Sequence, residues 1–173
     1  ARLQRDAALH AQAAAVAQAE AAREAERLAG AQTDLASFLL ADLSRGRTQQ
    51  EMSDQLERAV TVVREQYRGD VPLRGQLLFE LGERQRGLSN FARANALFDE
   101  SEPLLRQSAN VPTLARLLCL RARDAVFDGT APRAHALLAE AETLLAASDR
   151  PVVRPIRAAC RLEAAAVTAE GTI

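Results

Sequence analysis

Met52, Leu56, Ala59, Val60, Val63 and Tyr67 fall on one helix face, and "TQQE" at 48–51 ahead of them has the reciprocal capping pattern that opens a helix. Further along, "DVP" at 70–72, "NVP" at 110–112 and "DRP" at 149–151 each set an N-cap residue two positions before a proline. Proline is tolerated there because the first turn of a helix leaves its N–H groups unpaired in any case. Behind these starts, chemically matched residues recur forty positions apart: Leu77 with Leu117, Leu78 with Leu118, Ala94 with Ala134, Leu97 with Leu137, Leu104 with Leu144, and Leu105 with Leu145. Each unit reads as a helical hairpin that buries its apolar face only by stacking on its neighbours.

Turns are expected at "GLSN" (87–90) and "FDGT" (127–130), with Gly87 and Gly129 ending one helix and Ser89 or Asn90 and Thr130 capping the next. The resulting partition is hairpins over about 32–69, 70–109 and 110–148 and a final helix over 150–170. Residues 1–29 contain no Gly or Pro and consist of strong helix formers, so they predict one long helix that Gly30 interrupts. Its large apolar residues, Leu3, Leu9, Val16 and Leu28, are sparse. Residues 1–30 therefore read either as a weakly self-associating stalk or as a solvated linker helix, ahead of a repeat domain over 31–173. Glu20 with Arg23 and Glu24 with Arg27 are spaced to pair on its surface.

Composition agrees with an all-α class: 48% of the 173 residues are hydrophobic but only 3% are aromatic, and none is Trp. Every one of the 22 basic residues is arginine, against 23 acids interleaved with them. That interleaving is what solvated helix faces give, and it argues against a nucleic-acid partner, which would need basic residues gathered on one face. The absence of lysine beside abundant alanine fits GC-rich coding better than selection for phosphate binding. No apolar run is long enough to span a bilayer. The chain begins at Ala1 and reads as a fragment of a longer protein.

Residues 81–105, "LGERQRGLSNFARANALFDESEPLL", resemble a tetratricopeptide repeat. Leu81-Gly82, Phe91, Ala94 and Phe98 stand where that family places its Leu-Gly pair, the aromatic after the turn, the small helix-crossing residue and the second-helix aromatic. Ala122, Gly129, Ala134, Leu138 and Ala141 correspond in the next unit. The family packs small residues where helices cross and bulky ones beside them. The period of forty departs from the usual thirty-four.

The order of elements is similar to the segment behind the transmembrane helix in bacterial receptor-type serine/threonine protein kinases. That order is an Ala/Glu/Arg-rich helix, "LASFLLADL" at 35–43, a polar hairpin and then repeat units. The resemblance implies an extracytoplasmic, periplasmic sensor region of a membrane-anchored kinase, binding a protein or peptide and signalling through its N-terminal helices. No kinase motif lies in these residues. The competing classes are a stand-alone, cytoplasmic repeat scaffold or secretion-chaperone-type adaptor, and the effector region of a transcriptional regulator.

Catalytic and metal-binding chemistry is sparse, and no cofactor is expected. His10 and His135 lie in separate helical regions, where solvated or packed roles suffice. Asp99-Glu100 and Glu140 with Glu142 read as surface acids facing arginines. Cys119 and Cys160 are too far apart for a metal knuckle. They occupy similar places in the first helices of successive units, which leaves free thiols or a disulfide. Neighbouring helix axes lie about 8–10 Å apart, and a bridge requires Cα atoms within about 7 Å. The resemblance places a partner groove at Gln76, Phe79, Glu83 and Arg86 in one unit and at Arg116, Cys119, Arg123 and Val126 in the next. Arg86, Arg116 and Arg123 are candidates to hold a carboxylate, or to form salt bridges within the chain.

Overall fold

A computed structural model describes residues 2–40, 48–147 and 153–170, which fall into two compact units, residues 1–48 and 49–173. Among the described residues there are seven helices and no strand: α1 (Arg2–Leu40), α2 (Gln49–Gln66), α3 (Val71–Gly87), α4 (Phe91–Gln107), α5 (Val111–Phe127), α6 (Ala131–Ala146) and α7 (Val153–Glu170).

Among the described residues of the first unit there is one helix, α1, 39 residues long. Gly30 does not interrupt it: nothing lies within 4 Å of where its side chain would be, and the glycine's helix penalty of about 1 kcal/mol is small beside the good formers around it. Residues 32–40 accordingly complete α1 instead of opening a separate hairpin. Val16 is 53% exposed. Side chains of Leu3 and Leu9, and residues 41–43 of "LASFLLADL", lie outside the described residues. No described helix is long and apolar enough to cross a membrane.

In the second unit α3 pairs with α4 and α5 with α6, while α2 packs on α3, α4 on α5, and α7 on both α5 and α6. The forty-residue period resolves into two halves of twenty. Helices start at residues 71, 91, 111 and 131, separated by three-residue connectors whose middle members, Ser89, Ala109 and Gly129, have φ of 59°, 51° and 70°.

Every connector repeats one hydrogen-bond pattern. The N–H groups of Asn90, Asn110 and Thr130 donate to the carbonyls of Gln85, Leu105 and Ala125 at 2.9, 3.1 and 2.7 Å. Those of Ser89, Ala109 and Gly129 donate to Arg86, Arg106 and Val126 at 2.8, 3.2 and 2.9 Å. This is the Schellman closure, which satisfies the last carbonyls of one helix on the residue that begins the next. Gly87 is therefore inside α3, and the left-handed position belongs to Ser89.

Asp70 and Asn110 cap α3 and α5 through their side chains, accepting from Leu73 N–H at 3.2 Å and Thr113 N–H at 3.3 Å. Asn90 and Thr130 sit at the cap positions of α4 and α6 without a side-chain cap bond. The Thr130 hydroxyl instead donates to the Ala125 carbonyl at 2.8 Å. The third sequence-marked start, at 149–151, lies outside the described residues.

The core runs continuously through the hairpins and includes Phe79, Phe98, Leu105, Leu117, Leu118, Leu138 and Leu145. Gly82 marks the closest approach within the first hairpin. A Cβ there would stand 2.6 Å from the Phe98 ring and 3.4 Å from the Ala94 carbonyl oxygen, both on α4. Ala122 and Ala134, fully buried, fill the corresponding places in the second hairpin. Phe91, by contrast, is 52% exposed and takes no part in this packing.

Candidate functional site

The alternation of helices puts α2, α4 and α6 on one row and α3, α5 and α7 on another, and arginines tie each row from hairpin to hairpin. In the first row Arg64 of α2 grips both oxygens of Glu100 on α4, with Nε at 3.1 Å from each. Arg93 of α4 returns to Glu57 of α2, and Arg106 of α4 reaches Glu140 of α6. In the second row Arg86 of α3 meets Asp124 of α5 at 2.6 Å, Arg116 of α5 meets Glu83 of α3 at 2.7 Å, and Arg123 of α5 faces Glu163 of α7 at 3.5 Å. Arg121 of α5 crosses between rows to Asp99 and Glu102 of α4. The planar guanidinium, with five donors in a fixed fork, suits such bridging better than a lysine ammonium would.

The groove residues expected from sequence distribute as follows. Glu83, Arg86 and Arg123 line one half-open cavity of about 710 Å³. Phe79 is buried in the core beneath the Arg116 guanidinium, which lies 5.9 Å from its ring centre. Val126 packs against the same core, and Gln76 is half-buried, accepting from the Asn110 side chain at 3.2 Å. Cys119 is buried and disulfide-bonded to Cys160, the two Cα atoms 5.4 Å apart. Of the two alternatives left open for these cysteines, the structure holds the bridged one, tying α5 to α7. All three candidate arginines meet carboxylates of their own chain.

The cavity lies at the turn end of the hairpins. Its walls are completed by Phe91 and Asn95 of α4 and by Asp124, Phe127 and Asp128 at the end of α5. Phe91 is 52% and Phe127 66% exposed, with Arg86 lying 5.7 Å from the first ring centre and Arg123 lying 5.9 Å from the second. Burial pushes the Glu83 carboxyl above the ordinary glutamate range, outweighing the downward pull of Arg116 beside it.

Sequence reasoning missed a second polar cluster. Gln85 is fully buried at the end of α3. Its amide donates to Glu57 Oε1 at 3.2 Å, while its Oε1 accepts from the Ser53 hydroxyl at 3.2 Å and the Asn90 side chain at 3.3 Å. Asn90 also donates to the Ser53 Oγ at 3.1 Å. Through its Nδ2, Asn90 thus links α2 to the α3–α4 turn. A glutamine in a helical run gives no sign of burial, so no pattern in the sequence would have found it.

His10 and His135 are both exposed, and no group of metal-ligating side chains gathers among the described residues. Comparison with protein-family models, curated proteins and solved structures yields no match for this chain. The site gathers two exposed aromatic rings, ion-paired arginines and the Asp128 carboxylate.

Proposed function

We propose that this chain is a protein- or peptide-binding region of a bacterial receptor-type serine/threonine kinase, standing on the extracytoplasmic side of the inner membrane and relaying a signal without a chemical step of its own. The observation that carries the binding reading is the cavity between successive hairpins, walled by Phe91 and Phe127, two large rings that folding leaves in water. A tetratricopeptide-like stack is supported by the regular hairpins and by the Gly82–Phe98–Ala94 contact at the helix crossing. The Cys119–Cys160 bridge supports an oxidising compartment, because such bonds seldom persist among cytoplasmic thiols. A continuous α1, about 58 Å long at 1.5 Å per residue, suits a stalk that self-associates or reorients to pass the signal on.

Reading the gene upstream of Ala1 tests the attachment. An apolar run of about twenty residues preceded by kinase motifs is the expected result. A start codon at that point would leave the scaffold reading in its place. Trapping free thiols in intact cells tests the compartment: Cys119 and Cys160 are expected to resist alkylation until a reductant is added.

A further inference from the structure

Four large hydrophobic side chains are exposed among the described residues, and two of them, Phe91 and Phe127, converge on the one cavity at the turn end of the hairpins. The charges around these rings do not cancel. Arg86 is held by both oxygens of Asp124 at 2.6 Å, Arg116 by Glu83, and Arg123 by Glu163. Asp128 lines the same cavity with no ion-pair partner among the described residues, which leaves one carboxylate in excess. Asp128 also follows the last residue of α5, and Gly87, the last residue of α3, lies on the same wall. The first residue of α4, Phe91, lies there too, so helix ends of both signs meet at the cavity and the excess charge is that of the Asp128 carboxylate.

Both rings already lie near a guanidinium of this chain, so their quadrupoles are engaged with cations while more than half of each surface stays open. We propose that the cavity is the docking site for a basic segment of a partner protein. An arginine or lysine side chain would lay its aliphatic stem along Phe91 and Phe127 and pair its charged head with Asp128. An acidic segment would find Arg86 and Arg123 already paired with carboxylates and would face Asp128 uncompensated. The proposal rests on the binding reading above and narrows it to one location and one sign of charge.

The test uses the full 173-residue chain, isotope-labelled for amide NMR, and two amidated, N-acetylated tetrapeptide probes, Arg-Leu-Arg-Phe and Glu-Leu-Glu-Phe. The basic probe is expected to move amides at 86–91 and 123–129, with the acidic probe about tenfold weaker from the summed ion-pair and cation–π differences. Asp128→Asn is expected to weaken the basic probe about threefold. Phe91→Ala with Phe127→Ala is expected to abolish the shifts while leaving the melting temperature unchanged, since both rings are outside the core. Equal response to the two probes, no response to the basic one, or undiminished binding by both variants would overturn the proposal. Shifts confined to another surface would overturn this location while leaving peptide recognition by the chain standing.

Discussion

Three backbone positions, Ser89, Ala109 and Gly129, perform the same task with different side chains, and the difference is measurable. A residue with a Cβ pays about 1–2 kcal/mol for left-handed geometry, whereas glycine does not. Ser89→Gly and Ala109→Gly are therefore expected to raise stability by about 0.5–1 kcal/mol each, after the extra freedom glycine adds to the unfolded chain. Gly129→Ala should lower it by about 1 kcal/mol. Urea unfolding of the three variants checks this, and an equal response at all three sites would contradict the shared closure. Gly82 and Gly30 make a second contrast inside helices. Alanine at 82 puts a methyl 2.6 Å from the buried Phe98 ring, so Gly82→Ala is expected to destabilise by about 1–3 kcal/mol. At Gly30 the space is open, and Gly30→Ala should raise the helicity of α1, read by circular dichroism.

At the scale of elements, the hairpins were legible because Asp70 and Asn110 are side-chain caps backed by proline, a local signal that no packing overrides. The twenty-residue half-period was hidden because Ser89 and Ala109 occupy positions where glycine would have announced the turn, which drew the expected helix end to Gly87. Phe91 matched a packing aromatic by position, yet its exposure depends on how α4 sits against α5, and no spacing encodes that. Glu83, Arg86 and Arg123, expected on a groove, line one cavity, which Phe127 and Asp128 join only through the fold. The last helix offers a prediction of its own. α7 is fastened to α5 by the Cys119–Cys160 bridge and by Arg123 facing Glu163, and to α6 by Arg157 donating to the Leu145 carbonyl at 2.6 Å. A cross-link across 41 residues restricts the unfolded chain by about 4 kcal/mol. Cys119→Ala with Cys160→Ala is expected to lose a large part of that in denaturant unfolding, and to speed hydrogen exchange first in α7. Unchanged exchange in α7 would mean that its remaining contacts suffice.

For the molecule as a whole, the two rows of arginine bridges tie hairpin to hairpin, so stability responds to pH through the carboxylates that meet them. The two shifted glutamates act in opposite directions. The hydrogen bond from Arg106 holds the Glu140 carboxyl below the ordinary glutamate range. Its stabilisation is complete above the unfolded value and disappears as pH falls through the lower folded one. Burial raises the Glu83 carboxyl, so its contribution is complete below the unfolded value and is lost as pH rises through the higher folded one. Measured by urea unfolding from about pH 3 to about pH 8, the stability of Glu140→Gln relative to the parent is expected to fall with rising pH across the acid range. That of Glu83→Gln should climb, its change centred at higher pH. The Glu140 effect should shrink in high salt, because that side chain is 41% exposed and its ion pair is screened. The Glu83 effect should persist in salt, because it arises from burial and not from a surface charge. Curves for both variants that run parallel to the parent's would show that neither carboxylate differs between the folded and unfolded chain, and the bridges would then act as spacers between hairpins without setting the pH response.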